Sequence, residues 1–130
     1  MDSLLKIVAF LFVLLMLVVF IWQWRSQRKA QQMVDRKAPD TSTVDSDIDA
    51  SKKVYFFHAR HCRPCRAIEP LVDKVRAQHP NLIKIEISEH IELARSFQVA
   101  GTPSFIAVDD GIVKAVRLGT VNQQWLNSQL

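Results

Sequence analysis

FHARHCRPCRAIEP, Phe57 to Pro70, holds both cysteines of the chain, two of its four histidines and three arginines, and it ends in a proline. Such crowding suits a redox centre, a metal site, or the packed corner of a domain with other duties. The elements on either side decide between them. Upstream, KVYFFH, Lys53 to His58, is apolar without alternation from Val54 to Phe57, the pattern of a strand covered on both faces. Downstream, Cys65 to Gln78 sets Ile68, Leu71, Val72 and Val75 at helical spacing. Cys62 therefore follows directly on a buried strand, and Cys65 falls in the first turn of a helix.

That placement has chemical consequences. A helix N-terminus presents unpaired N–H groups and about half a positive charge, which favours a thiolate over a thiol. Two residues between the cysteines let both sulfurs meet over one helical turn, close enough to exchange a disulfide. Pro64 suits the opening of the helix, where its missing N–H would be unsatisfied anyway. His61, when protonated, and Arg63 and Arg66 are expected to tune the pKa of Cys62 further downward. The pattern points to Cys62 as an attacking thiolate and Cys65 as the resolving thiol. Two other readings stand beside this one. His58, His61, Cys62 and Cys65 spell four potential zinc ligands, although His58 belongs on or beside the buried strand. A static structural disulfide is the other, although closing so short a loop gains little entropy.

The rest of the C-terminal part alternates strand with helix. In LIKIEI, Leu82 to Ile87, isoleucines alternate with Lys84 and Glu86, which predicts a strand with one wetter face or an edge position. Ser88 is expected to cap a helix whose Ile91, Leu93, Ala94 and Phe97 pack inward. FIAV, Phe105 to Val108, and IVKAV, Ile112 to Val116, are joined by Asp109-Asp110-Gly111, a hairpin signal. Thr120 to Gln123 reads as a capping box opening a last helix through Trp125 and Leu126, with Trp125 in the core. The order β-α-β-α-β-β-α predicts a compact α/β sheet, two parallel strands with crossover helices plus an antiparallel hairpin.

With these elements laid out, residues 53 to 130 resemble the thioredoxin superfamily. The C-x-x-C after a buried strand is matched by Cys62-Arg63-Pro64-Cys65, and the proline five residues beyond it by Pro70. The Gly-x-Pro segment whose cis-proline faces the disulfide is matched by Gly101-Thr102-Pro103, and two further glycines by Gly111 and Gly119. An X-Pro bond is intrinsically mostly trans, so the resemblance alone carries the expectation of a cis bond at Pro103. It also implies that Thr102 and Pro103 offer backbone groups to an extended substrate segment. Three departures bear on what carries over. His61 and Arg63-Pro64 stand where thioredoxins usually have Trp and Gly-Pro. The family's buried acid falls at Phe56, which leaves Lys84, the counterpart of a nearby lysine, without its partner. The family's first strand and helix have no counterpart, so a shortened thioredoxin-like fold is expected.

The N-terminal part is of another kind. From Ile7 to Trp22, IVAFLFVLLMLVVFIW has no polar or charged side chain, and Leu4 and Leu5 extend it past Lys6. This is close to the roughly 20 apolar residues that cross a bilayer. Trp22 and Trp24, then Arg25, Arg28 and Lys29, form the aromatic and basic boundary of a span. No small-x-small site follows, which argues against a cleaved signal peptide, and no cysteine lies near for a lipid anchor. We expect a single-pass anchor over residues 1–24, a basic then acidic polar linker over 25–51 whose second half is a solvated tether, and a thioredoxin-like domain over 52–130. Residues 1 to 37 carry six Lys/Arg against two acids, whereas residues 38 to 130 carry eleven of each. The whole charge excess of +4 thus sits beside the apolar run. It speaks of lipid headgroups and topology, not of nucleic acid.

The expectation is a membrane-tethered thiol-disulfide oxidoreductase acting on protein thiols and disulfides, with an unidentified electron donor or acceptor. No metal and no cofactor beyond the redox-active Cys62–Cys65 pair is expected. The alternatives are a non-catalytic binding or assembly module of the same fold and, behind it, a metal-binding module. Counting Lys and Arg places the domain on the cytoplasmic face; the exported, periplasmic face is the alternative, since anchored domains of this kind often serve the oxidising side.

Overall fold

The computed structural model describes residues 1–130 apart from the side chains of residues 29 and 30, so the Lys29 side chain of the basic flank lies outside the described residues. In chain order the elements are α1 (Asp2–Gln31), α2 (Ser42–Asp45), β1 (Lys52–His58), α3 (Arg63–Gln78), β2 (Leu82–Glu86), α4 (Ile91–Ser96), β3 (Ser104–Asp109), β4 (Ile112–Leu118) and α5 (Gln123–Gln129). From β1 onward this is the expected β-α-β-α-β-β-α order.

The four strands form one sheet in the order β2-β1-β3-β4. β1 runs parallel to β2, with Val54 opposite Leu82, and antiparallel to β3, with Phe57 opposite Ser104. β3 and β4 pair antiparallel through the Asp110-Gly111 turn, Ser104 opposite Leu118. Both residues of that turn have positive φ, 51° and 76°, which the glycine adopts without strain. β2 lies at an edge, as the alternation of Lys84 and Glu86 implied.

Successive residues of β1 serve opposite faces. Val54 and Phe56 join Phe105, Ala107 and Leu82 under Ile68, Val72 and Val75 of α3 and Leu126 of α5. Tyr55 and Phe57 join Ile85, Ile106, Val108 and Val113 on the other face, with Leu93 and Phe97. Phe56, Phe57, Phe97 and Phe105 are fully buried. Each such side chain stabilises by about 1.5–3 kcal/mol relative to leaving it in water.

The segment expected to be a solvated tether is instead packed against the domain. The six-residue α4 is too short to cover the second face of the sheet alone. Met33 is buried there, with Val34, Ala38, Val44 and Ile48 half-buried beside it. Asp45 is buried too: its Oδ2 accepts from Tyr55 Oη at 2.6 Å, Thr41 Oγ1 at 2.8 Å and Lys53 Nζ at 3.0 Å. Residues 31 to 38 also run along the outer edge of β4. Gln31 Nε2 donates to Val116 O at 3.0 Å, Asp35 N to Val113 O, Val113 N to Arg36 O, and Ala38 N to Gly111 O.

Two expected caps moved. Ser88 bonds through its hydroxyl to the Glu86 carboxylate, and α4 begins at His90 with no side-chain cap. On so short a helix Ile91 falls outside the packed face and is exposed. At α5 the cap is Asn122, whose Oδ1 accepts from Trp125 N at 2.8 Å, in place of Thr120. Trp125 is half-buried, edge-on to Phe105 with ring centroids 6.3 Å apart.

α1 is one continuous helix whose apolar residues from Leu4 to Trp24 are exposed, and it is long and apolar enough to cross a membrane.

Candidate active site

Three segments meet at the C-terminal end of β1: the loop to α3, the loop before β3, and the end of β4. Cys62 is the N-cap of α3, with extended backbone (φ −89°, ψ 108°), and its Sγ accepts from Cys65 N at 3.2 Å. The two cysteines are joined in a disulfide with Cα atoms 5.2 Å apart. Pro64 lies in the first turn, where no carbonyl awaits its missing N–H. Cys62 is half-buried, whereas Cys65 is 3% exposed among the residues under α3. Cys62 is therefore the more accessible residue of the pair.

His61 and Arg63 are exposed on either side of Cys62. The Arg66 guanidinium turns back to donate to Arg60 O at 3.2 Å, and Arg60 pairs with Glu89 at 3.1 Å. Of the three cations expected around Cys62, Arg66 is thus already engaged on the loop backbone.

The Thr102–Pro103 bond is cis, as the family resemblance implied. Pro103 is buried, and because Ser104 opposite Phe57 fixes the start of β3, it stands off the same end of the sheet as Cys62. Its carbonyl accepts from Gly119 N at 2.8 Å, and Ser104 Oγ donates to Gly101 O at 2.5 Å. Pro103 has no N–H to donate. Thr102, half-buried, has N–H and C=O groups without a partner among the described residues. Thr102 thus keeps free backbone groups, whereas the Pro103 carbonyl already accepts one bond.

Below the disulfide, Phe56 fills the position of the family's buried acid and stacks on Phe105 at 4.8 Å and on His58 at 5.3 Å. His58 is half-buried at the strand end. Burial, and then the Lys84 charge, hold its imidazole below the ordinary histidine pKa, outweighing nearby Glu69, Glu86 and Glu89. Lys84, expected to have lost its partner, has two new ones on α3: Nζ lies 2.6 Å from Glu69 Oε1 and 3.0 Å from Asp73 Oδ1. Burial works against its charge, but these two carboxylates prevail and raise its pKa. The ion pair was missed because Glu69 and Asp73, four apart on one helix face, align with Lys84 only once α3 crosses β2. Among the described residues no group of three or more His, Cys, Asp or Glu is gathered as metal ligands, and the disulfide engages both sulfurs.

Comparison with known proteins agrees with this geometry. A family model described as Thioredoxin matches residues 37–130. The mitochondrial thioredoxin of Bos taurus is 32% identical over 80 residues, which cover 59% of this chain and 48% of that protein. The chain thus spans about half the length of the first relatives it matches. A thioredoxin of Chlamydia pneumoniae is 28% identical over 94 residues, covering 71% of this chain and 92% of the relative. Among solved structures, Fasciola hepatica thioredoxin superposes with a TM-score of 0.55 at 26% identity, over 64% of this chain and 81% of that one. From its sheet, its cis-proline, its cysteine pair and this match, the chain belongs to the thioredoxin family.

Proposed function

We propose that this protein is a membrane-tethered thiol-disulfide oxidoreductase acting on protein substrates. The observation that carries the reading is the asymmetry of the cysteine pair: Cys62 caps α3 and is the more accessible, while Cys65 lies buried behind it. In the reducing direction the Cys62 thiolate attacks one sulfur of a substrate disulfide, forming a mixed disulfide and releasing the other sulfur as a thiolate. Cys65 then gives up its proton and attacks Cys62 Sγ. The Cys62–Cys65 disulfide forms and the second substrate sulfur leaves. Two electrons pass to the substrate, two protons follow, and an external dithiol must restore the pair. The oxidising direction is the same sequence reversed. Thr102 N–H and C=O are suited to hold an extended substrate strand beside Cys62.

The N–H of Cys65 and the open end of α3 favour the Cys62 thiolate in the reduced protein. The apolar exposed face of α1 supports the tether. Arg25, Arg28, Lys29, Arg36 and Lys37 on its polar flank favour the cytoplasmic side, and activity of an alkaline phosphatase fused at Leu130 would reverse that placement.

The decisive experiment uses the full chain in detergent or vesicles with a soluble protein disulfide and excess dithiothreitol. Cys62→Ser should abolish turnover, and Cys65→Ser, reduced and then freed of dithiothreitol before it meets the substrate, should accumulate a mixed disulfide through Cys62. Undiminished turnover in Cys62→Ser would leave the non-catalytic binding module as the better description.

A further inference from the structure

The direction in which α1 leaves the domain says where the cysteine pair faces. Gln31 is level with Val116, in the second half of β4. Moving back along α1, Trp24 and Arg28 line a cleft with Leu118, at the end of that strand. Further back, Val18, Ile21, Trp22, Arg25 and Ser26 line a second cleft closed by Ala100. Towards the bilayer, α1 thus descends past the end of the sheet where β4 finishes, β3 begins and β1 delivers Cys62. Trp22 and Trp24 belong at the headgroup level. Ala100, next to Gly101-Thr102-Pro103, sits beside Trp22, so the loop with the cis-proline lies at that level as well.

The charge at this end agrees. From Arg95 to Ser104 there is no acidic residue, and none from His58 to Ile68, so the acids at this end are Glu69, Glu86, Glu89 and Glu92 on the side of β2, away from α1. Arg63 and Arg117 are exposed here and form no salt bridge among the described residues, while Arg60 and Arg95 pair with Glu89 and Glu92. Leu118, 41% exposed, and exposed Ala100 add apolar surface. Arginine with scattered apolar groups suits contact with anionic headgroups.

We infer that the redox site faces the bilayer and that its partner is a membrane-embedded protein whose cysteine pair lies at the surface of the same leaflet. This rests on the oxidoreductase reading and narrows its substrate class. A dithiol on a freely diffusing protein would have to enter between the domain and the headgroups; one held at the surface arrives already aligned.

The test uses the full chain, its cysteine pair reduced with dithiothreitol that is then removed, in vesicles of phosphatidylcholine and phosphatidylglycerol. One reporter is a transmembrane peptide with a disulfide loop directly outside its span. A second carries the same loop on a flexible spacer of about twenty residues, which lifts it roughly 25 Å, and a third is the loop free in solution. The surface loop should exchange about tenfold faster than the lifted one. A flexible Gly/Ser insertion between Gln31 and Gln32 should bring that ratio to about one. Equal rates in the unmodified chain, or a ratio that survives the insertion, overturn the inference. Absence of exchange with all three loops removes the oxidoreductase reading, and the partner assignment with it. Orientation is read separately, without activity, from nitroxides at Ala100→Cys or Asp110→Cys in a Cys62→Ser, Cys65→Ser background. Headgroup-chelated nickel should relax the first more strongly, and the reverse order or equality refutes the facing.

Discussion

Replacing Asp45 by alanine should destabilise the folded domain severely, although Asp45 lies in a stretch whose composition suggests a linker. Its carboxylate accepts from Tyr55, Thr41 and Lys53 at 2.6, 2.8 and 3.0 Å. Hydrogen bonds to a charged group contribute about 1.5–3 kcal/mol each. Two of the donors recover part of this: the Lys53 side chain is 19% exposed and can reach water, and Thr41 is half-buried. Tyr55 Oη, fully buried, retains only Thr41 Oγ1 at 3.2 Å. The net loss is therefore about 2–4 kcal/mol. For a domain of this size it lowers the midpoint of thermal unfolding by roughly 10–25 °C. The assay is urea or thermal unfolding of the full chain in micelles, followed by Trp125 fluorescence in a Trp22→Phe, Trp24→Phe background. A loss below about 0.5 kcal/mol, the range of ordinary surface changes, would refute the docking of residues 33 to 48. The network also has a pH signature. Burial alone would raise the pKa of Asp45, but bonds from Tyr55, Lys53 and Thr41 hold it below the usual range. Its contribution is therefore full above the unfolded value of about 3.9 and is lost as pH falls through the lower folded value. Asp45→Ala should flatten that acid limb.

Three further outcomes are expected. In the reduced protein iodoacetamide should modify Cys62 well before Cys65, since Cys62 is the more accessible of the two; mass spectrometry showing Cys65 modified first would reverse their roles. The His58 imidazole should titrate in an NMR experiment below the ordinary value of about 6.5, because burial and Lys84 oppose its charge; its stabilising contribution is full above that value and lost as pH falls through the folded one, and a midpoint at or above 6.5 contradicts the packing against Phe56. Lys84→Met should cost at most about 1 kcal/mol, since Asp73 and Glu69 are 56% and 39% exposed and water takes over from the lost ammonium; a loss of about 3 kcal/mol or more in urea unfolding would mean that the ion pair holds α3 on the sheet.

What could be foreseen from the residues was whatever is encoded locally. The unbroken apolar run at Val54 to Phe57, the helical spacing behind Cys65 and the turn at Asp109 to Gly111 each lie within one short window. The cis-proline was foreseeable only through the family resemblance. The docked segment escaped because its apolar residues, Met33, Val34, Ala38, Val44 and Ile48, follow no period. They are placed by the sheet they cover, so nothing in their own spacing announces them. Asp45 likewise looks solvated until Tyr55 is brought above it by the fold. The caps failed for a local competition: Glu86 takes the Ser88 hydroxyl, and Asn122 stands nearer the first turn of α5 than Thr120. The facing proposed for the cysteine pair rests on how a helix ends against a strand more than eighty residues away, which no window contains.

Under the proposed membrane tether, the strip of chain along the outer edge of β4 also governs how copies meet one another. Copies anchored in one leaflet share a height and a polarity, so an open strand edge on one would meet the same edge of its neighbour already in plane. Such edges invite sheet-to-sheet pairing and aggregation. Residues 31 to 38 occupy one edge with their own hydrogen bonds, leaving β2 as the other. β2 is only five residues long and carries Lys84 and Glu86, which makes it a poor template. Removing those charges should be tolerated at low density and should drive clustering as copies crowd in the membrane.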